Sequence, residues 1–520
     1  MFNNRLLRQS YIATLAAIGF FLPLSVWLVS VFILMNFLVW ILGGGLKRLS
    51  GDSNRNLYIY IFSGIYIIHI IWMINTSDTN SGLLQLWQKL PFIMLPLSIG
   101  LSDPITKKEM KTTLSFFVGG VMVSSVTGII LYLVGKETNS IEDPRKISLF
   151  IPYIRLSMET NFSIVISVWY LFTEKSNLLR GFYFFSAIWL ILFLFLLLSV
   201  TGIVIFSIIL VISLFILLQK SGSIFLKFGF LAIVAACFVV AGVYISKEIK
   251  NFNNKCNKYT YPLKEKTMSG NAYLHYPERK DTENGNPVWI YISEKEMRKE
   301  WNLRSHINYD SNDLRSQKLS YTLIRYLTSA GLTKDSVGIA QLNDQDIKYV
   351  ESGIANRLFT EGKPLKSKIY EIIWQIDYYR NGGNPSGHSV TQRIEFFKTG
   401  FNLLKRNFYF GTGTGDLKDE MTAQYERENS KLDPEYRFLP HNQYLNSLLT
   451  FGVFGFLIIC LCTFLPVMRL KTHRNFLLNM FFLIILLSMF GEDIMETHTG
   501  VCFFTYFYTL FVFGEDKNEY

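Results

Sequence analysis

The charged residues of this 520-residue chain are concentrated in one stretch. Residues 246–440 hold 30 Lys and Arg and 25 Asp and Glu, which is 55 of the 91 charged residues, and the other 325 residues share 36. The chain is 50% apolar, so the charge-poor parts are typical of membrane segments. This distribution excludes a single soluble globule and a disordered chain. The net charge of +11 is therefore expected from basic cytoplasmic loops, and we predict no nucleic-acid partner.

Apolar runs long enough to cross a bilayer recur along both charge-poor parts. A spanning helix needs about 20 mostly apolar residues. The run 11–42 is long for one span, and Pro23 near its middle removes a helix hydrogen bond, so we predict two spans with a break there. Ten further segments bring the prediction to twelve spans. They are 57–74, 90–101, 114–134, 159–173, 182–199, 202–218, 226–245, 442–467, 476–490 and 500–513.

The basic residues of the short loops predict the orientation of these spans. With the N-terminus inside, the inside loops hold 15 Lys and Arg and the short outside loops hold 5. Cytoplasmic loops carry such an excess, so we predict cytoplasmic N- and C-termini. Three domains follow: nine transmembrane helices over 1–245, a large external loop domain over 246–440, and three transmembrane helices over 441–520.

The sequence of the polar insert predicts a mainly helical structure. Apolar residues recur at helical spacing over 316–330, 366–380 and 389–406. Asn343, with an acidic residue three positions later, predicts a helix start. The segment PVWIYIS at 287–293 is the clearest candidate for a strand.

Three glycines alternate with threonine just before Asp416. Gly411, Gly413 and Gly415 form a flexible turn with Asp416 as helix cap, or they let the backbone approach a phosphate at a helix start. The spacing matches neither common nucleotide-binding signature, so a nucleotide site is not supported.

His441 lies directly before a predicted span, after Pro440. Its ring lies at the membrane interface, or it acts as a general base. Imidazole suits a base because it titrates near neutral pH and can accept a proton from an attacking hydroxyl. The neighbouring Asn442 and Tyr444 either orient an acceptor or cap the helix.

Two arginines and two acids complete the candidates. Arg393 in the insert and Arg155 before a span have the planar, permanently charged group that suits a diphosphate, although a solvated helix face and an interfacial anchor are the alternatives. Glu492 and Asp493 follow a span on the same predicted side. Acidic residues near membrane depth are costly and often functional, and a simple loop is the alternative.

These motifs together resemble one family. Arg393 with IEFF, then GTGTGD at 411–416, then PHNQYL at 440–445 and FGVFGF at 451–456 are similar to the O-antigen ligase and polymerase family. The specific match covers about 389–460. The resemblance implies an all-α polytopic fold of about twelve transmembrane helices with a large, mainly helical periplasmic loop domain, a GT-C-like architecture.

The resemblance also implies an activity. Such enzymes take a glycan from undecaprenyl diphosphate at the periplasmic face of the inner membrane, and the ligases pass it to a lipid A–core sugar without metal or other cofactor. The implied partners are the lipid-linked glycan, that acceptor or a growing glycan, and membrane lipid. His441 would act as base with Arg393. The implied donor-diphosphate contacts are Arg393, Arg155, Gly411, Gly413 and Gly415, and the implied acceptor-positioning residues are Asn442, Tyr444 and Glu492.

One departure from the family stands out. Many members carry a Ser-Arg pair before the eighth span, whereas this chain has Val200 after Ser199, with Arg155 as the candidate substitute. We predict an O-antigen ligase-like function, and the alternative on the same scaffold is an O-antigen or exopolysaccharide polymerase, which the sequence does not separate well from a ligase. A polysaccharide transporter or flippase is the alternative from another class, and it requires ionisable residues inside the spans.

Overall fold

The structure, a computed structural model, is almost entirely helical. It describes residues 5–49, 54–137, 147–220, 223–255, 263–279, 281–360, 362 and 364–515. The helices of its first half are α1 (Arg5–Phe21), α2 (Val26–Leu42), α3 (Asn54–Ile71), α4 (Thr79–Lys89), α5 (Pro91–Gly100), α6 (Lys107–Glu137), α7 (Tyr153–Thr173), α8 (Asn177–Leu196), α9 (Val200–Lys220) and α10 (Ile224–Lys255).

The second half continues with the helices of the polar insert and the apolar helices after it. They are α11 (Glu294–Arg304), α12 (Leu319–Ser329), α13 (Ser336–Ala340), α14 (Asp344–Glu351), α15 (Pro364–Arg380), α16 (Ser389–Arg406), α17 (Leu417–Arg427), α18 (Gln443–Arg469), α19 (Phe476–Ser488) and α20 (His498–Thr509). One short antiparallel hairpin, β1 (Thr282–Glu283) and β2 (Asn286–Pro287), pairs before α11.

The chain packs as two compact units. The first unit is Met1–Ser221 with Arg393–Tyr520, and the second unit is Gly222–Gln392. This division follows packing, so α10 belongs to the second unit and α17 to the first. The domain boundaries at 245/246 and 440/441 follow membrane topology and stay a prediction.

Each predicted span lies on a helix. The break at Pro23 is confirmed, because α1 ends at Phe21 and α2 begins at Val26, where the Ser25 hydroxyl accepts a hydrogen bond from the Leu28 N–H. In the described part of the chain, six helices are long and apolar enough to cross a membrane, and α2 and α19 are shorter apolar helices. The chain is thus a helical membrane protein, and the number of twelve spans stays a prediction.

An aromatic core holds the first unit together. Phe162 of α7 lies 4.8 Å from Phe507, measured between ring centroids, and 5.2 Å from Phe481. Phe117 of α6 also lies 4.8 Å from Phe507. Every described side chain of α20 from Thr499 onward is buried, so α20 is the central helix of this unit. The loop that precedes α20 is thereby held between packed helices.

The second unit has its own core around α11 and α12. Trp301, Leu323, Tyr326 and Leu327 are fully buried. The predicted helices of this unit are confirmed, including the start at Asn343, which forms a capping box with the acid three positions on. The strand prediction for 287–293 is wrong over most of its length: only its first residue belongs to β2, and Ile292 makes isolated bridges.

Candidate functional site

His441 lies beside two acidic side chains in the first unit. Its Nδ1 is 3.9 Å from Oδ1 of Asp493, an ion-pair distance longer than a hydrogen bond. One ligand atom each of His441, Glu492 and Asp493 lies within 4.8 Å of the others, and we call these three residues the acid–histidine cluster. All three are half-buried. The imidazole therefore has a carboxylate partner and keeps access to solvent.

The start of α18 brings the acid–histidine cluster together. Asn442 caps this helix: its Oδ1 accepts a hydrogen bond from the Leu445 N–H at 2.9 Å, and its Nδ2 donates to the Phe490 carbonyl at 3.0 Å. The Gln443 N–H donates to the Met489 carbonyl at 2.9 Å. These bonds tie the residues beside His441 to the end of α19, where the acids follow.

A second layer of bonds fixes the loop after the acids. The Gln443 side chain donates to Glu496 at 3.0 Å and accepts from the Met495 N–H at 2.6 Å. The Lys89 ammonium donates to the Met495 carbonyl, and only 2% of Lys89 is exposed. Lys89 is one of the five basic residues that the sequence places in the short outside loops. The sequence does not show whether a charged residue at the edge of an apolar run is buried, so the burial of Lys89 could not be predicted.

The acids and the imidazole shift each other's ionisation. The Asp493 carboxylate beside Nδ1 raises the pKa of His441 above its usual value, against burial, which lowers it. Burial raises the pKa of Glu492, and the neighbouring Asp493 charge adds to the effect. Burial acts to raise the pKa of Asp493, but the contact with His441, a backbone hydrogen bond and the charge of Arg155 together lower it. The histidine is thus supported in its charged form, as a base needs after it takes a proton.

Both predicted arginines act on the acid–histidine cluster. Arg155 lies in the first turn of α7 and is half-buried, and its charge interacts with Glu492 and with Asp493. Arg393 is exposed on α16. Its charge acts to lower the pKa of both His441 and Glu492, against the net rise of each. The site therefore combines an imidazole, two carboxylates and two guanidinium groups, which can stabilise an anion beside a base.

The three predicted acceptor-positioning residues have different environments in the structure. Glu492 lies in the acid–histidine cluster. Asn442 has the helix-capping role, the other alternative from the sequence, because both ends of its amide are bonded within the protein. The Tyr444 hydroxyl donates to the Leu486 carbonyl at 2.8 Å, so it too serves the packing of α18 on α19.

The glycine run is packed within the protein. The Gly411 N–H donates to the Asn407 carbonyl, the Gly413 N–H to the Thr450 carbonyl, and the Gly415 N–H to the Thr76 hydroxyl. A Cβ added to any of the three would collide with neighbouring backbone. The N–H groups of these three glycines are thus bonded within the protein, and their contact with a diphosphate stays a prediction.

Asp416 also has a different role from the predicted helix cap. It precedes α17, but its side chain makes no capping bond there. Its two carboxylate oxygens accept hydrogen bonds from the N–H groups of Ser77 and Asp78, at 2.6 and 2.9 Å. The segment before α17 is thus fastened to the connection between α3 and α4, a contact across more than 300 residues of chain.

The departure at Val200 lies close to Arg155 in the fold. Val200 begins α9 with 65% of its surface exposed. The preceding Ser199 donates from its hydroxyl to that of Ser157 at 3.0 Å, two residues after Arg155 on α7. The position expected to carry the family arginine is therefore next to the helical turn that carries Arg155.

The acid–histidine cluster is the candidate for holding a metal ion among the described residues. Its three ligand atoms are near enough to share a divalent cation, as imidazole and carboxylates do in catalytic sites. Two arginine charges offset the two carboxylates there, which disfavours a cation. The expectation of no cofactor stays a prediction.

The apolar helices and this cluster define a polytopic helical membrane protein with a charged site at the ends of its helices. Residues 350–460 match the family model described as Wzy_C, O-antigen ligase. The match includes Arg393, the glycine run and His441, and it confirms the resemblance to the O-antigen ligase family, whose members are glycosyltransferase-like enzymes. No curated protein matches the chain.

Proposed function

We propose that this protein transfers a glycan from a polyprenyl diphosphate to a sugar hydroxyl, with undecaprenyl diphosphate as the lipid and a lipid A–core sugar as the acceptor. The observation that carries the proposal is the pairing of His441 with Asp493 at 3.9 Å, beside two arginines. A base and fixed cations are what the departure of a lipid diphosphate requires.

The reaction is a single displacement. The acceptor hydroxyl oxygen attacks the anomeric carbon, and the bond from that carbon to the diphosphate oxygen breaks. His441 takes the hydroxyl proton, and the Asp493 carboxylate stabilises the resulting imidazolium. The guanidinium groups of Arg155 and Arg393 offset the charge that develops on the leaving diphosphate. A single displacement inverts the configuration at the anomeric carbon.

The setting we propose is the periplasmic face of the inner membrane, with both chain termini in the cytoplasm. The excess of basic residues in the predicted inside loops supports this orientation. A polymerase would use the same chemistry with a growing glycan as acceptor. Gene deletion followed by gel analysis of the surface polysaccharide separates the two: loss of a ligase strands long chains on the lipid carrier, whereas loss of a polymerase leaves single repeats on lipid A.

A second candidate function is transport of the lipid-linked glycan across the membrane. It is favoured by ionisable side chains buried in the first unit: Glu159 is 1% exposed, Lys89 is 2% exposed and His69 is 7% exposed. Such residues often mark transport pathways. Movement of a labelled lipid-linked glycan in vesicles, unchanged by His441→Ala, would favour transport over transfer.

The direct test is transfer by the purified protein between a lipid-linked donor and an acceptor glycolipid. We expect His441→Ala to lower the rate by about 10²–10⁴-fold, the range for loss of a general base. Arg393→Lys should retain more activity than Arg393→Ala, because it keeps the charge and loses the fork. Arg427→Ala is the matched control, an arginine of α17 that is partly exposed and paired with Glu420 at 3.7 Å.

The proposal fails if His441→Ala and Arg393→Ala both transfer glycan normally at normal protein levels. It also fails if the wild-type protein, folded and supplied with both substrates, forms no product.

A further inference from the structure

The second unit contains two adjoining cavities that the proposed reaction does not use. Their volumes are about 430 and 420 Å³, within the range of small-ligand sites. Both are lined by Trp374 and Tyr378 of α15 and by Arg279 and Asp281 of the segment before the hairpin. Because the two cavities share these lining residues, we treat them as one site and call it the aromatic cleft.

Aromatic rings provide flat walls in this cleft. The Trp374 and Tyr378 rings stack with centroids 5.2 Å apart and planes 6° from parallel. The His388 ring meets both edge-on, at 5.3 and 5.6 Å. Trp289 and Tyr321 form a second edge-on pair at 6.2 Å in one of the two cavities. Trp374, Tyr378, His388 and Trp289 are half-buried, so these rings are supported by the protein without being enclosed by it.

A buried carboxylate fixes the polar side of the cleft. Glu283 is 1% exposed, and its two oxygens accept hydrogen bonds at 2.6 Å from Arg325 and from Asn356. The Arg325 guanidinium lies over the Trp374 ring, 4.7 Å from its centroid. Because an arginine has five N–H donors, this bond to Glu283 orients Arg325 and leaves donors for a ligand.

Trp289, which lines one of the two cavities, has similar neighbours. The Trp289 indole N–H donates to the Asp281 carboxylate at 2.6 Å, and the Arg279 guanidinium lies 4.6 Å from the centroid of the Trp289 ring. Each tryptophan is therefore paired with a guanidinium and an acid. The cleft is thus lined both by aromatic rings and by guanidinium and carboxylate groups held in place by hydrogen bonds.

We propose that the aromatic cleft binds the sugar residues of a glycan. A pyranose ring has an apolar face of C–H groups that packs on an aromatic plane, and a rim of hydroxyls that donate to carboxylates and accept from guanidinium groups. The two cavities, which share Trp374 and Tyr378, give room for neighbouring sugars of one chain. The identity of that glycan as the transferred polysaccharide rests on the proposed function, whereas carbohydrate binding does not.

The test uses full-length protein in detergent and, as probe, lipid-free oligosaccharide released by mild acid from the surface polysaccharide of the source cells. Isothermal titration measures the dissociation constant. We expect Trp374→Ala and Tyr378→Ala each to weaken binding about tenfold, and Arg279→Ala to weaken it severalfold. Arg298→Ala is the matched control, because Arg298 is exposed and lies 5.2 Å from the Tyr309 ring centroid outside the cleft.

His441→Ala separates this proposal from the proposed function, because it should lower the transfer rate by about 10²–10⁴-fold and leave oligosaccharide binding unchanged. Binding without transfer by the wild type would refute the glycosyltransferase and retain the glycan site. The cleft proposal is overturned if folded wild-type protein binds no oligosaccharide, or if both aromatic variants bind as tightly as the wild type.

Discussion

The substitution Asp493→Asn tests the pairing at the centre of the proposed mechanism. In the wild type, the Asp493 carboxylate raises the pKa of His441, so this base is protonated and inactive up to a higher pH than an isolated histidine would be. Asparagine has a similar shape and no charge. The variant's imidazole should therefore lose its proton at lower pH, and the acid limb of the pH–rate profile should move down.

The size of this shift follows from the geometry. Unit charges separated by 3.9 Å attract each other by about 1 kcal/mol in water and about 4 kcal/mol at an effective dielectric constant of about 20. Because 37% of the His441 side chain is exposed, the value for water is the closer one. At about 1.4 kcal/mol per pKa unit, the limb should move down by about one pH unit.

The assay is the transfer rate with saturating substrates between about pH 5 and 9, a range that covers the titration of a shifted histidine. The plateau rate should fall, since the imidazolium loses its partner, while the ratio of the rate at acid pH to the plateau should rise. Asp419→Asn on the exposed face of α17 is the control for loss of one negative charge in the same unit. An acid limb that stays in place, or moves to higher pH, would refute the role given to Asp493.

The remaining predictions concern stability and metal. Asn442→Ala should lower the free energy of unfolding by about 1 kcal/mol, because it removes a helix cap, and a thermal melt should report it. Gly413→Ala should destabilise the protein by about 1–3 kcal/mol, since φ is +99° and a Cβ would meet the Asn75 carbonyl. Gly181→Ala is its control, with no atom near the added Cβ, and equal melting temperatures for the two would contradict the reasoning. Dialysis against EDTA should leave transfer unchanged, and a loss restored by Mg²⁺ or Zn²⁺ would contradict the prediction of a metal-free site.

The helices were predictable because their signals are local. Hydropathy over about 20 residues identifies a span, and apolar spacing identified α15 and α16 nearly to the residue. The break at Pro23 and the cap at Asn343 rest on single side chains whose effect reaches only a few residues. None of these features depends on which helix packs against which.

The site was predictable only in part, because its contacts join distant parts of the chain. His441 and Glu492 were identified as candidates separately, and the bonds between the start of α18 and the end of α19 bring them together. The packing of the glycine run could not be predicted, because in sequence a glycine that lets a ligand approach looks the same as one that lets another backbone approach. The backbone that packs against Gly413 is Asn75, more than 300 residues earlier.

The packing of the glycine run also has a consequence for how the protein is assembled. Gly452 interrupts α18 with φ of +63°, and the segment 408–413 supplies hydrogen bonds at this break: the Phe408 carbonyl accepts from the Val453 N–H, and the Thr412 N–H donates to the Leu449 carbonyl. A helix entering a bilayer cannot leave such groups unpaired without a cost of several kcal/mol each. We therefore expect the tenth predicted span to reach its final form together with the chain just before it, so that insertion of this helix and folding of that segment are coupled in biogenesis.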